Sequence, residues 1–545
     1  MHMFAASTLI PVAMLGLVCT SAATFENLQR HARAYDVRDF EAVGNGQAKD
    51  TAAVQRAIDA CAGTGGGTVL FPSGTYLCGS LHLRSNITLH LDNGTTILAS
   101  TNDTDFDPFE KLHFENDSDE ETSYFHFSLI WGEDLENVAI VGQGTIDSNR
   151  NGRSGPKTIG LKRCKQVSIR DITIRNAGNY AISMLGTDFV NIDGVSIFSS
   201  YCDGIDPDSC QNVRISNCYV ESWDDAICPK ASLSLGYRRA AKYITVTNCI
   251  MATNCNGFKL GTESAGDFQH ITVSNCVVTT YKSKVDYREP TQPISGISLI
   301  SADGANIGDV EISNIAMDEV RFPLFLRLAN RGRDMEKPVP GTLRNITISN
   351  ITASDALIGG IVIGEPDRPI ENVLLDNVRI TCKGGGAKEQ PGIDVPAMMR
   401  KYPSAYKFRE LSTYGFYVRH ARAVLLDQVR LSLDTPDTRH ALIFEDAADL
   451  SITALRVQPS KDAAPIILFN KVKDALIQGC APVAGTMAFM RLTGETSARI
   501  TLLNNDFSRV KDVFLLEEEV GNDCVRIGPG LCAARGRILE RRVPE

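Results

Sequence analysis

Val167-Ser-Ile169, Val190-Asn-Ile192 and Val213-Arg-Ile215 open three alternating segments spaced 23 residues apart. Apolar residues recur with period 2 inside each segment, so each reads as a strand with one face buried. The same opening returns at Val138-Ala-Ile140, Ile244-Thr-Val246, Ile271-Thr-Val273, Val310-Glu-Ile312, Ile346-Thr-Ile348, Val373-Leu-Leu375 and Val424-Leu-Leu426. The wider spacing there is read as loops inserted between strands. Short strands repeating every 20 to 40 residues or so, with almost no helical periodicity, are the pattern of a solenoid whose coils stack on one another. A leucine-rich repeat would show Leu-x-x-Leu-x-Leu, which is absent. A β-sandwich would not explain why Asn217, Asn248, Asn275, Asn314, Asn350 and Asn377 each stand one step after a strand. Asparagines at a turn stack and satisfy backbone groups coil after coil. The sequence therefore predicts an all-β chain, a single-stranded right-handed parallel β-helix.

Ahead of the repeats, Asp50-Thr51 is followed by Val54, Ile58 and Cys61 at i, i+4 and i+7, and then by Gly63. That is a short amphipathic helix with a capping acid and a glycine stop. A solenoid leaves an open strand edge at its end, and this N-terminal helix is expected to cover it. Residues 383–410 open with Lys383-Gly-Gly-Gly386, carry little strand pattern and predict a long loop. The repeats resume beyond it, so residues 24–545 read as one β-helix domain with irregular C-terminal coils.

A chain of 545 residues has the length of about three average domains, but a repeat fold reaches that size with one continuous core. Hydrophobic residues at 43% and charged residues at 22% exclude a disordered, collagen-like or multispanning chain. The formal charge of −10 argues against a nucleic-acid partner, which needs a basic face to displace phosphate counterions. Residues 9–18, Leu-Ile-Pro-Val-Ala-Met-Leu-Gly-Leu-Val, are too few to span a bilayer and are followed by Ser21-Ala22-Ala23. Residues 1–23 accordingly read as a signal peptide, and the mature chain as a secreted or periplasmic monomer with no membrane partner. Of the fourteen cysteines after Ala23, Cys218, Cys249 and Cys276 follow Asn in one shared pattern. Identical register implies stacked, buried thiols acting as small hydrophobes, close enough that bridges are not geometrically excluded. No Cys-x-x-Cys occurs, and no cysteine has metal-site spacing.

Chemistry concentrates in Tyr201-Cys-Asp-Gly-Ile-Asp206 and Trp223-Asp-Asp-Ala-Ile227. Both lie at the ends of adjacent strands, and the 21 residues from Asp203 to Asp224 are close to one coil. Stacked strands are about 4.8 Å apart, so Asp203, Asp224 and Asp225 are expected to crowd one patch. Glycoside hydrolysis needs one protonated carboxyl to donate to the leaving oxygen and one ionised carboxylate to activate water. Mutual repulsion is a means of keeping one of them protonated. Taken singly, Asp-Gly and Asp-Asp also serve as plain turn residues.

Together with Tyr35-Asp-Val37, Gly65-Gly-Gly-Thr-Val-Leu-Phe-Pro72 and Gly142-Gln-Gly-Thr-Ile-Asp147, these motifs resemble glycoside hydrolase family 28. That family comprises the polygalacturonases and rhamnogalacturonan hydrolases, and the resemblance runs over roughly residues 33–380. Its Asn-Thr-Asp-Gly-x-Asp signature matches Tyr201 to Asp206, and its Gly-Asp-Asp signature matches Trp223 to Asp225. The resemblance implies that Asp224 is the general acid, that Asp203 and Asp225 hold and activate the water, and that the reaction inverts without cofactor or metal. A pectic polysaccharide or oligosaccharide is the implied substrate.

Two departures bear on that substrate. The family's Gly-His-Gly appears as Cys255-Asn256-Gly257, so Asn256 replaces the usual His. The Arg-Ile-Lys that grips a galacturonate carboxylate in polygalacturonases corresponds to Ser298-Leu-Ile300, without a cation. Lys230 and Lys259 are the nearest replacement cations by motif position, and Arg327, Asn330 and Arg331 form a further polar cluster. Trp223 is placed to stack on a sugar face. The missing clamp points to an exo-acting or rhamnogalacturonan-directed enzyme, with galacturonan the family default. A polysaccharide lyase or uronate epimerase, with the Asp triad recast as calcium ligands, and a non-catalytic carbohydrate-binding β-helix stay open as alternatives. Sequons at Asn86, Asn93, Asn102, Asn116, Asn345 and Asn350 are equally explained by the Asn-Ile-Thr strand pattern.

Overall fold

Each 23-residue repeat closes one coil. The computed structural model describes residues 34–281, 292–388, 400–530, 532–533 and 540–541, and the leader read at residues 1–23 lies outside the described residues. Val138, Val167, Val190, Val213, Ile244, Ile271, Val310, Ile346, Val373 and Val424 pair one above another along a single stack of parallel strands. A second stack runs through Thr173–Arg175, Ser196–Ser200, Tyr219–Ser222 and Ile250–Thr253. A third runs through Lys157–Lys162, Ile182–Leu185, Ile205–Asp208, the bridge at Ile227, Asn256–Leu260, Ser295–Ser301 and Phe322–Leu328. The chain is a right-handed parallel β-helix. Alternate residues of all three stacks point inward, and Ile169, Ile197, Ile205 and Leu299 are fully buried in one continuous core. A one-residue slip would turn each set outward, which holds the register wherever the alternation is strict.

The recurrent asparagines mark the corner between the first and second stacks. Asn217, Asn248, Asn275, Asn314, Asn350 and Asn377 all have φ between 49° and 57°, the left-handed region that asparagine tolerates better than other side chains. The Asn314 amide donates to Asn275 at 3.0 Å, Asn350 to Asn314 at 3.0 Å and Asn377 to Asn350 at 2.8 Å. Asn345, a sequon asparagine, belongs to a parallel ladder, donating to Asp309 and accepting from Asn372. Cys218, Cys249 and Cys276 follow that corner as buried free thiols. Each donates to the carbonyl two residues before it, at 3.1 to 3.3 Å.

The helix α1, Thr51–Gly63, buries Ala53, Val54, Ala57, Ile58 and Cys61 against the first coils. Asp50 does not cap it through its side chain. Its carboxylate accepts instead from the Val43 and Gly44 amides, at 2.7 and 3.0 Å, and ties the preceding turn to the helix start. The C-terminal coils, which the sequence marks as irregular, keep the stack: Ala475 pairs with Leu450 and Ile500 with Ala475. Two excursions lie over the outer face of the third stack. Residues 107–124 bind it at one end, where the Glu110 carboxylate accepts from Lys162 at 3.0 Å and the Tyr124 carbonyl from Lys157 at 2.5 Å. At the other end, within the expected long loop, a 3-10 helix spans Ala405–Phe408. Ala405, Phe408 and Leu411 pack there on the outward side chains Ile300, Phe325 and Ile361.

Candidate active site

Coil register decides which acids are neighbours. Ile205 bridges Ile227, and Ile227 bridges Phe258. Counting back two residues places Asp203, Asp225 and Asn256 at one position on three successive coils, where the chain turns into the third stack. Asp224 stands one residue earlier, in the bend that leads into that position. A carboxylate oxygen of Asp225 lies within 4.8 Å of one from Asp203 and of one from Asp224. Asp203 and Asp225 are 4% and 2% exposed, whereas the Asp224 side chain is 32% exposed. Of the three acids, Asp224 is the one open to solvent.

Buried carboxylates need partners. Asp203 accepts from Lys230 Nζ at 2.7 Å and from the Asp225 amide at 3.1 Å. Lys230 also donates to Asp206 and to the Tyr180 hydroxyl, both at 3.0 Å. Asp225 accepts from Lys259 Nζ at 2.6 Å and from the Asn256 side-chain amide. Asn256 is itself held by Ser295 and Ser298, whose hydroxyls donate to its Oδ1 at 2.6 and 3.2 Å. The two lysines expected to receive a substrate carboxylate are thus bound to the protein's own acids. The oxygens that would ligate calcium in the lyase alternative face Lys230, Lys259 and Asn256.

Asp224 differs. Its Oδ2 accepts from Arg153 Nη1 at 2.7 Å, and Arg153 pairs as well with Glu121 at 3.0 Å. Burial pushes the Asp224 carboxyl up, but Arg153 foremost, with Lys259, holds it below its ordinary value. Asp225 is pushed up by burial and by Asp203 and Asp224 against the pull of Lys259. Asp206, buried beside Asp203, rises well above the ordinary carboxylate range for the same reasons. At rest the exposed acid is therefore ionised by an arginine, and the protonation pressure falls on the buried Asp225 and Asp206.

The other candidate residues have different settings. Trp223 is 5% exposed and packs with Tyr281 and Tyr201, so its ring is enclosed and not presented to solvent. Arg327, 1% exposed, pairs with Glu365 at 3.1 Å and donates to the Ile363 and Gly364 carbonyls. Arg331 grips Asp303 through two nitrogens, at 2.6 and 2.9 Å, and Asn330 donates to the Pro338 carbonyl. Neither arginine pairs with the three acids. Ser298 stacks beside Lys259 and Ile300 lies under the Ala405–Phe408 cover, so the clamp positions hold a hydroxyl and a methyl surface.

Sequence reading missed Arg153, Glu121, Tyr180 and Tyr402, whose hydroxyl accepts from Lys259 at 3.3 Å. Asp206 was visible as the last residue of a quoted motif. Arg153 sits in a Gly/Ser-rich turn 71 residues from Asp224 and carries no local signal.

The family model for glycosyl hydrolases family 28 matches residues 61–397, a span that holds all of these site residues except Tyr402. A probable polygalacturonase of Vitis vinifera is 25% identical over 388 residues, covering 66% of this chain and 76% of that protein. The family 28 exopolygalacturonase of Yersinia enterocolitica superposes with a TM-score of 0.60 at 19% identity, over 77% of this chain and 78% of that one. A hyperthermoactive exopolygalacturonase from Thermotoga maritima gives 0.55 at 20% identity, over 66% and 90%. At such identities the two structures speak to the fold.

Proposed function

The chain belongs to glycosyl hydrolases family 28, and from that membership we propose an exported, inverting hydrolase that removes sugars from the end of a pectic polysaccharide. The observation that carries the mechanism is Asp203 and Asp225 at one coil position with the exposed Asp224 alongside. In the proposed step Asp224 gives its proton to the glycosidic oxygen as the bond from the anomeric carbon to that oxygen breaks. A water held by Asp203 and Asp225 attacks the same carbon from the opposite face and passes its proton to that pair. Lys230, Lys259 and Asn256 position the pair.

Exo action is supported by the two excursions that lie on the outer face of the third stack, residues 107–124 and the Ala405–Phe408 segment, because such covers shorten the run of face open to a polymer. A rhamnogalacturonan backbone, alternating a neutral sugar with uronate, is the second reading. It is supported by Ser298 and Ile300, which put buried neutral side chains where the clamp cations are expected. Family membership disfavours the lyase, epimerase and binding-protein alternatives. Export rests on residues 1–23 as leader, and no helix among the described residues is long and apolar enough to cross a membrane.

Asp224→Asn is the test, read by reducing-end release across a panel of pectic polysaccharides and oligosaccharides. Turnover is expected to fall by at least about 100-fold with folding and binding retained, because a general acid acts in the transition state. Near-normal turnover would overturn the assignment.

A further inference from the structure

Beside the acids, on the side away from the missing clamp, lies a cleft of about 210 Å³. Arg153, Lys157, Glu121, Gly155, Gly178 and Asn179 are among the residues that line it. It is smaller than the roughly 300–1,000 Å³ sites of drug-sized ligands, a size for one sugar ring. Lys157 is its unusual feature. The side chain is 2% exposed, and its Nζ donates to the Tyr124 carbonyl and lies 4.9 Å from the Phe125 ring centre. Lys162, Lys230 and Lys259, equally buried along the same face, each pair with a carboxylate at 3.0 Å or less. Among the described residues Lys157 makes no such pair. Burial lowers it to about 8, against the pull of Glu110 and Glu121. A buried ammonium without a counterion among the described residues, on a side chain that lines a sugar-sized cleft, is a site for an anion.

We propose that this cleft holds the carboxylate of a uronate residue of the substrate on Lys157 and Arg153, and that the contact draws Arg153 away from Asp224. The substrate then supplies the negative charge for which Arg153 otherwise depends on Asp224 and Glu121. Asp224, released from its arginine, takes a proton from solvent and becomes the competent acid. Around Asp224 stand Arg153, Lys259, Asp225, Cys202, Cys255 and Tyr402. Of these, Arg153 is the half-exposed cation and the one a ligand can move, its side chain being 35% exposed. The inference rests on the hydrolase reading and adds to it a specificity determinant that replaces the absent clamp.

The experiment compares wild type, Lys157→Met, Arg153→Gln and Arg153→Lys on oligogalacturonides and on the same oligosaccharides with their carboxyls reduced to alcohols. Lys157→Met is expected to lower kcat/KM on the acid substrate by about 10- to 100-fold, the range of a lost charge-assisted contact, with little change on the reduced one. Arg153→Gln should also lose on the acid substrate yet gain on the reduced one, because the foremost of the groups that hold Asp224 ionised is then gone and only the weaker pull of Lys259 and Cys255 remains, and Arg153→Lys should fall between. The alkaline limb of kcat/KM should move to higher pH in Arg153→Gln, since removing the cation raises the Asp224 carboxyl. Should Lys157→Met not fold, the exposed Arg153 pair of variants carries the test. Equal losses on both substrates with an unmoved limb would overturn the inference alone. No hydrolysis of any pectic oligosaccharide by wild type would overturn the hydrolase reading and the inference with it.

Discussion

Asp208 shows what one coil position does to a single carboxyl. It follows Asp206 by two residues in the third stack, is 3% exposed, and accepts from the Ser232 amide at 2.8 Å and from the Ser209 hydroxyl at 3.0 Å. Burial still outweighs these bonds and lifts it from 3.8 to about 6. An acid raised on folding holds its proton in the folded state while the unfolded chain has released it. Stability from this group is therefore greatest below pH 3.8 and is lost as pH rises to about 6. Asp208→Asn removes that dependence. The variant should gain on wild type by up to about 3 kcal/mol between pH 4 and pH 6.5, measured by urea unfolding at both values. A constant difference would show that Asp208 is not protonated in the fold. Carboxylates likewise hold the buried Lys230 and Lys259 charged, Lys230 between Asp203 and Asp206 and Lys259 against Asp225.

At the scale of the element, the asparagine corner is the device that the repeat reuses. Asn314, at φ 57°, donates to Asn275 and accepts from Asn350. Alanine there loses both bonds, each worth about 0.5–1.5 kcal/mol net, and adds about 1–2 kcal/mol of left-handed strain. Glycine loses the bonds without the strain. Asn314→Ala should thus destabilise by about 2–5 kcal/mol and Asn314→Gly by clearly less, as read from chemical denaturation midpoints. Equal effects would assign the ladder's contribution to hydrogen bonding alone. The helix α1 illustrates the limit of local signals: an acid at the capping position makes its bonds to the preceding turn, because Val43 and Gly44 present two amides closer than the helix does.

Over the whole molecule, the two excursions on the third stack bear on how a polymer is cut. Arg333 pairs with Asp119 at 3.0 Å and the Asp117 amide donates to Asp334 at 2.8 Å, which fastens residues 107–124 along several coils. The Ala405–Phe408 segment lies farther along the same face on an apolar bed. Chain-end cleavage of a soluble pectic polymer lowers viscosity slowly relative to reducing ends released. Viscometry alongside reducing-sugar assay should show that lag, with one small product at early times. A rapid viscosity drop with mixed oligosaccharides would mean that the uncovered stretch accepts the middle of a chain.

The sequence by itself determined the coil. Period-2 alternation dictates a buried face, the 23-residue spacing dictates stacking, and Asn after each strand dictates a left-handed corner, all of them local and repeated many times. It also placed three aspartates within one coil of each other, since Asp203, Asp224 and Asp225 are close in both chain and space. What each acid faces was decided only in the tertiary structure. Arg153 reaches Asp224 across 71 residues, Tyr402 reaches Lys259 across 143, and among the described residues Lys157 lacks the carboxylate that its neighbours have. The charge state of a buried group is the sum of its burial and of every ion within a few ångströms, and in a solenoid those ions arrive from turns and excursions whose lengths follow no repeat.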